Sequence, residues 1–278
     1  MKTIVVATDF SERAANALRY AVNLTTKMNA SIIILHVYKI PVLISDYPVA
    51  PVTIDDLEEE SIQLLSKIKA ELMSPKPGLK IEILVRSGIA YEEIENVSRE
   101  FEADLIVLGI KGHSRILEFF GSTATSVALH SLVPVLIVPE EAVFKGLSTL
   151  VFAFDYKATK ATEELGLVKE LSEVFKAEIH VINILNRPTE PVLEKIPSGT
   201  KLNDMLEPLD PVISFQMNED TIQGILEYTE RNNAELIVML RRKHSFFEKL
   251  VHASYSRKMA FHTRIPLLVL HAEADRSL

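Results

Sequence analysis

The sequence predicts an α/β protein made of two tandem doubly wound domains, each with helices on both faces of a parallel sheet. Short apolar runs alternate with amphipathic segments along the chain, which is typical of such sheets. The apolar runs are continuously aliphatic, as expected for strands that are buried on both faces. The same succession of segments occurs twice, which indicates the duplication of one domain.

The first copy shows the elements of one such domain in order. Five apolar runs predict strands over residues 4–7, 32–37, 81–85, 105–108 and 135–138. Ser11 is a suitable N-cap for a first helix, whose apolar face begins at Ala14. Three further segments predict helices over residues 57–73, 91–101 and 123–132.

The second copy repeats the landmarks of the first. Residues 149–155 resemble residues 3–9, and residues 234–239 resemble residues 103–108. The order of these matches is kept along the chain. We therefore predict a first domain over residues 1–139, a linker over residues 140–148 and a second domain over residues 149–272.

Composition narrows the classes of function. The net charge is −8, which argues against a broad surface for nucleic acid or for an anionic membrane. There is no cysteine, so thiolate metal sites and disulfides are excluded. No apolar run approaches the ~20 residues that span a membrane, and Asp9 interrupts the first run too early for a signal peptide. We expect a cytoplasmic protein without nucleic-acid or membrane partners.

The end of the fourth predicted strand is the most informative part of the sequence. Glycine lets a backbone turn sharply and approach a ligand closely. A helix N-terminus supplies free N–H groups and a positive dipole end, which suit phosphate. Three glycines, a lysine and a Ser-Thr pair lie between this strand and the next predicted helix: Gly109, Lys111, Gly112, Gly121, Ser122 and Thr123.

Three distant segments are predicted to meet at one crevice. Ligands of open parallel sheets bind beyond the carboxyl ends of the strands. Asp9, Val37 and Gly109 all lie at such ends in the first copy. We therefore expect a ligand site there, and the lysine at position 111 adds positive charge that suits a polyphosphate.

Each half resembles a domain of the universal stress protein family, and the resemblance covers nearly the whole chain. It implies a five-stranded parallel sheet in each half, with strand order 3-2-1-4-5. It also implies that the two domains pair through their last strands. The marks that carry it in the first half are Thr8-Asp9-Phe10-Ser11, Leu35-His36-Val37, Gly109-x2-Gly112 and Gly121-Ser122.

Some members of that family bind ATP, and the resemblance implies this ligand, with Mg²⁺ accompanying it, for the first half. By matching position, Asp9 is the acid that contacts the ribose or phosphate side, and Ala7 and Thr8 flank it with backbone contacts. Val37 is the position whose backbone reads adenine. The phosphate cradle consists of Gly109, Gly112, Gly121, Ser122 and Thr123.

Two departures from the family pattern affect this site. Eight residues separate Gly112 from Gly121, whereas the family pattern has nine. In the second half, Leu240, Lys243 and Ala253 replace the three glycines, and their side chains occupy the room that a phosphate needs. We therefore expect regulatory nucleotide binding in the first half and a degenerate second half.

Alternatives to this interpretation stay open at the level of sequence. The same site hydrolyses ATP slowly, or the chain is a nucleotide-free dimerisation scaffold that forms a homodimer. Asp9 is the one obvious general base, and Asp155 repeats it in the half that lacks the glycines, which equally suits a structural role. No catalytic residue and no resident metal ligand is assigned.

Overall fold

The computed structural model describes residues 2–40, 54–111, 122–154, 165–186, 210–241 and 264–271. Strands and helices alternate in these ranges as the sequence predicts. The strands are β1 Thr3–Thr8, β2 Ser31–Tyr38, β3 Lys80–Ser87, β4 Leu105–Ile110, β5 Val135–Pro139, β6 Thr149–Ala153, β7 Glu178–Leu185, β8 Val212–Met217, β9 Leu236–Arg241 and β10 Leu267–His271. The helices are α1 Glu12–Met28, α2 Ile54–Met73, α3 Ala90–Glu100, α4 Ser122–His130, α5 Gly166–Phe175 and α6 Thr221–Arg231.

Local side-chain chemistry sets the ends of the first-half helices. Ser11 is the N-cap of α1, as predicted, and its hydroxyl accepts a hydrogen bond from the backbone N–H of Ala14 at 3.4 Å. Helix α4 ends at His130, two residues before the predicted end. There the Ser131 hydroxyl accepts a hydrogen bond from the backbone N–H of Val133 at 3.0 Å, which turns the chain toward β5 instead of extending the helix.

All ten strands belong to one sheet with the order β3-β2-β1-β4-β5-β10-β9-β6-β7-β8. The predicted order 3-2-1-4-5 is therefore confirmed in the first half, and the second half repeats it. Neighbouring strands within each half are parallel, whereas β5 and β10 pair antiparallel with Leu136 opposite Leu268. The predicted pairing of the last strands joins the two halves into a single sheet.

The two halves share the contact that fixes the amino end of the first strand. The Asp104 carboxylate accepts hydrogen bonds from the backbone N–H groups of residues 2 and 3, at 2.6 and 2.9 Å. In the second half the Glu235 carboxylate accepts the same two bonds from residues 148 and 149, at 3.0 and 2.9 Å. The duplication seen in the sequence therefore extends to individual hydrogen bonds.

The carboxyl ends of the first strands are also held alike. His36 Nδ1 donates to the backbone carbonyl of Thr8 at 2.8 Å. At the corresponding position of the second half, Asn183 Nδ2 donates to the backbone carbonyl of Phe154 at 2.8 Å. In both halves a polar side chain of the second strand thus satisfies the last carbonyl of the first strand, at the edge where a ligand is expected.

Part of the predicted linker packs between the halves. The Phe144 ring meets Tyr20 of α1 edge-on at a centroid distance of 5.0 Å and Phe175 of α5 at 5.7 Å. Asn16 of α1 is buried, and its Nδ2 donates to the carbonyl of Pro139 at 3.0 Å. The apolar core on this face of the sheet is continuous from one half to the other. The domain boundaries themselves stay a prediction.

Candidate functional site

A cleft of about 270 Å³ opens beyond the carboxyl ends of β1, β2 and β4 in the first half. This is the edge where the sequence predicts a crevice. Its walls come from these strand ends and from the first turns of α1, α3 and α4. The lining residues are Ala7, Thr8, Asp9, Arg13, Ala14, Leu35, Val37, Ala90, Ile94, Leu108, Gly109, Thr123 and Ala124.

The loop that carries Asp9 is held by a network of local hydrogen bonds. Phe10 adopts a left-handed backbone with φ of 61°, and its N–H donates to the Thr8 hydroxyl at 3.1 Å. Asp9 Oδ1 accepts hydrogen bonds from the Ser11 backbone N–H, at 3.1 Å, and from the Ser11 hydroxyl. A bulky residue seldom adopts positive φ, so the surrounding contacts must fix this turn and, with it, the position of the carboxylate.

His36 supports the same loop from the neighbouring strand. The Phe10 ring lies over the His36 imidazole at a centroid distance of 4.3 Å. Through its hydrogen bond to the Thr8 carbonyl, His36 fixes both the end of β1 and the ring that packs over it. The Leu35-His36-Val37 motif therefore has a structural role at its central residue, which the sequence alone did not assign.

Asp9 forms an ion pair with Arg13 inside the cleft. Arg13 Nη2 lies 2.6 Å from Asp9 Oδ2, and the two side chains are 40% and 52% exposed. Burial raises the pKa of the Asp9 carboxyl, but the hydrogen bonds from Ser11 and Arg13 and the positive charge of Arg13 outweigh this effect and hold the pKa below its ordinary value. Asp9 is therefore ionised at neutral pH.

Val37 lies where β2 extends past β1. The register between the two strands ends with Thr8 opposite His36, whereas β2 continues alongside β3 with Val37 opposite Arg86. The backbone of Val37 consequently borders the cleft on the side that β1 has left. The adenine-reading role of Val37 stays a prediction.

Gly109 has a packing role that the sequence did not reveal. A Cβ atom at this position would lie 2.3 Å from the backbone oxygen of Arg13 and 3.0 Å from the backbone nitrogen of Ala14. Both neighbours belong to the first turn of α1, so the helix can lie this close to β4 only because residue 109 has no side chain. The glycine thus fixes the wall of the cleft, whatever it contributes to a phosphate.

The sequence model of the universal stress protein family matches residues 1–139 and 206–271. The chain belongs to this family. Universal stress protein MJ0531 of Methanocaldococcus jannaschii is 31% identical over 146 residues, which cover 49% of this chain and 81% of that protein.

Solved universal stress proteins share the fold. One from Archaeoglobus fulgidus has a TM-score of 0.73 and 20% identity, with 98% of this chain and 97% of that chain covered. Another was solved in complex with cAMP, so that protein binds a nucleotide; it is 22% identical, has a TM-score of 0.38 and covers 50% of this chain and 97% of its own.

In this universal stress protein, some of the predicted site residues line the cleft and others do not. Five of them, together with Gly109, line the cleft: Ala7, Thr8, Asp9, Val37 and Thr123. Lys111 follows β4 directly and is exposed, outside the lining. Ser122 begins α4 beside the cleft. Gly112 and Gly121 lie outside the described residues, so their place in a phosphate cradle stays a prediction.

Sequence reasoning missed two parts of the lining. The sequence patterns assigned no role to Arg13, although its spacing of four residues from Asp9 is a signal for an ion pair. The contribution of α3, through Ala90 and Ile94, was also missed. Gly88, with φ of 147°, turns the chain from β3 into α3 and was the available signal that the start of α3 lies at this edge.

The corresponding positions of the second half are buried. Ala153, Ile184 and Leu240 occupy the places of Ala7, Val37 and Gly109, and they are 3%, 4% and 7% exposed. Phe154, at the place of Thr8, packs against the ring of Phe152 at 5.6 Å. Ala7, Val37 and Gly109 are partly exposed at the strand ends of the first half, whereas their counterparts in the second half are buried.

Neither a metal-ligand cluster nor a membrane-spanning helix occurs in the part of the chain that the structure describes. No group of three or more His, Asp or Glu side chains in these residues is arranged to hold a metal ion. Likewise, none of the described helices is long and apolar enough to cross a membrane.

Proposed function

We propose that the first half of this universal stress protein binds an adenine nucleotide, ATP with Mg²⁺, and that the second half does not. The observation that carries the proposal is the open cleft at the ends of β1, β2 and β4, together with the burial of the corresponding residues Ala153, Ile184 and Leu240. The module that binds the nucleotide is assigned to residues 1–139 and the degenerate module to residues 149–272.

The lining of the cleft fits the two ends of a nucleotide. Leu35, Val37 and Ile94 supply an apolar wall that suits the faces of a base. Asp9 and Arg13 supply charge next to it, and the N-terminus of α4 adds a positive dipole end beside Thr123. An apolar pocket with a few convergent polar groups is the usual form of a small-molecule site.

A regulatory role is supported by the two helices that border the cleft, α1 and α4, because both also contact the second half. Helix α1 opens the cleft at its first turn and packs against the second half through Tyr20 and Phe144. Helix α4 begins at the cleft, and at its other end Arg241 of the second half donates to the carbonyl of Leu129. A ligand that binds differently to two arrangements of these helices changes how the halves meet.

Asp9 is a poor general base for ATP hydrolysis. A general base works best when its pKa lies near the working pH, whereas the pKa of Asp9 lies below its ordinary value and its oxygens already accept three hydrogen bonds. The geometry therefore favours binding over turnover, and we propose a sensor rather than a hydrolase.

The direct test fills the cleft with a larger side chain. Ala90 lines the cleft at the first turn of α3, so Ala90→Phe is expected to weaken ATP binding by about 100-fold or more, which corresponds to ~2.7 kcal/mol. The matched control is Ile89→Phe, because Ile89 is the neighbouring residue, is 58% exposed and does not line the cleft. The measurement is calorimetric titration with Mg²⁺ and ATP.

Mass spectrometry of small molecules released from the purified wild-type protein complements this titration. We expect an adenine nucleotide among them, and an affinity in the control within about 2-fold of wild type. Equal ATP affinity in Ala90→Phe and wild type would show that ATP binds outside this cleft. If wild type releases no nucleotide and also gives no titration signal with ATP, the proposal is wrong.

A further inference from the structure

The first turn of α1 places an arginine in the cleft that none of the family marks includes. We infer that Arg13 binds the phosphate groups of the ligand and makes the cleft select phosphorylated nucleotides over nucleosides. The inference rests on the nucleotide-binding function proposed above and assigns a specificity-determining residue to it.

Arg13 lies between two segments of the cleft, the one that begins at Gly109 and the one that carries Asp9. Its backbone packs directly on Gly109, the first residue of the glycine segment, and its side chain points to Asp9 after β1. The Arg13 side chain is 40% exposed and the residue lines the cleft, so a ligand can reach it. Because the Arg13 backbone is fixed against Gly109, the range of positions open to the guanidinium is limited. This favours a contact with the ligand at a defined position.

The hydrogen-bond capacity of the pair leaves room for a ligand. The guanidinium has five N–H groups, and the bond to Asp9 uses one, from Nη2. Asp9 Oδ1 already accepts two bonds from Ser11, and Oδ2 accepts one from Arg13. Oδ2 therefore keeps a lone pair for a ligand hydroxyl, while Arg13 keeps donors for phosphate oxygens, and the ion pair need not break.

Charge gives Arg13 its selectivity. Asp9 is ionised and would repel a polyanionic ligand if its charge were not balanced. Arg13 balances that charge at 2.6 Å, and its planar fork of donors matches phosphate oxygens better than a lysine does. A nucleoside carries no such charge and gains little from this side chain.

The duplication supplies an independent argument. The second half keeps the acid, because Asp155 repeats Asp9, but Thr159 stands where Arg13 stands in the first half. An ion pair that merely supported the start of the first helix would serve both halves equally. The arginine instead accompanies the half with the open cleft.

The test compares ATP and adenosine binding in wild type, Arg13→Gln and Arg13→Lys by calorimetric titration. Arg13→Gln is expected to weaken ATP binding about 10-fold or more and to change adenosine binding by less than about 2-fold. Arg13→Lys keeps the charge but loses the planar fork of donors, so its ATP affinity is expected to lie between those of wild type and Arg13→Gln. The matched control is Arg19→Gln, an exposed arginine on the same helix that does not line the cleft.

The outcomes separate this inference from the function on which it rests. If Arg13→Gln binds ATP as wild type does, or loses adenosine and ATP affinity equally, Arg13 is not a phosphate ligand and nucleotide binding still stands. A wild type that binds neither ligand overturns the nucleotide proposal and this inference together. Thermal unfolding of each variant checks the fold, and we expect little change because an exposed ion pair contributes little stability.

Discussion

The same strand end has opposite surroundings in the two halves. At the end of β4, Gly109 lets the first turn of α1 approach so closely that a Cβ atom would lie 2.3 Å from a backbone oxygen. At the end of β9, Leu240 occupies the corresponding position and is buried in the apolar core. Loss of the glycine in the second half therefore changes the packing of the strand end as well as the room for a phosphate.

Burial separates the halves even where the residue type is the same. Ala7 and Ala153 correspond, yet Ala7 lines the cleft while Ala153 is 3% exposed within the core. Val37 and Ile184 differ in the same way. The two halves therefore differ in burial at the ends of corresponding strands, and Gly109 is one part of that difference.

The largest expected effect lies on the closed side of the comparison. Leu240→Ala removes a buried side chain and leaves a cavity, so we expect the free energy of unfolding to fall by about 3–4 kcal/mol. Chemical denaturation measures this change. Val143→Ala is the control, because Val143 is 71% exposed and its truncation is expected to cost less than about 0.5 kcal/mol. A small loss in Leu240→Ala would mean that Leu240 does not support the core.

The reciprocal change on the open side is expected to be somewhat smaller. Gly109→Ala forces the first turn of α1 away from β4, at a cost of about 2–3 kcal/mol in unfolding free energy. Gly78→Ala is the matched control, since no atom lies within 4 Å of its Cβ position. Equal stability of the two variants in denaturation would show that α1 does not depend on residue 109 being glycine.

Much of this comparison was accessible from the sequence. The aliphatic runs predicted the strands of the first half, and the resemblance implied both the strand order and the pairing of β5 with β10. Asp9, Val37 and Gly109 were expected at one edge of the sheet, and they line one cleft there. The strands follow from the hydrophobic period and the place of the cleft from the rule that ligands bind at strand ends, whereas the strand order and the pairing came from the family resemblance.

Tertiary contacts decided what the sequence left open. The packing role of Gly109 depends on the distance between α1 and β4, which no local pattern encodes. The role of His36 depends on the offset between β1 and β2, because only that register brings its ring to the Thr8 carbonyl. Arg13 and α3 were missed for the same reason, since their place in the cleft is set by helices that dock from different parts of the chain.

The smallest expected effect concerns the charge of Asp9. Its pKa is lower in the folded chain than the ordinary value of 3.8, so its contribution to stability is present above that pH and is lost as the pH falls through the folded value. Because the carboxylate is half exposed, we expect a contribution below about 1 kcal/mol. The stability difference between wild type and Asp9→Asn should be constant from about pH 5 to 8 and shrink below pH 3.8. A difference that grows in acid would contradict the lowered pKa.

The stoichiometry of ATP binding tests the asymmetry between the halves most directly. Calorimetric titration of the wild-type chain with ATP and Mg²⁺ should give one site per chain, and Ala90→Phe in the first half should weaken binding at that site about 100-fold or more. Two sites per chain, or one site that survives Ala90→Phe unchanged, would contradict an open first half beside a closed second half.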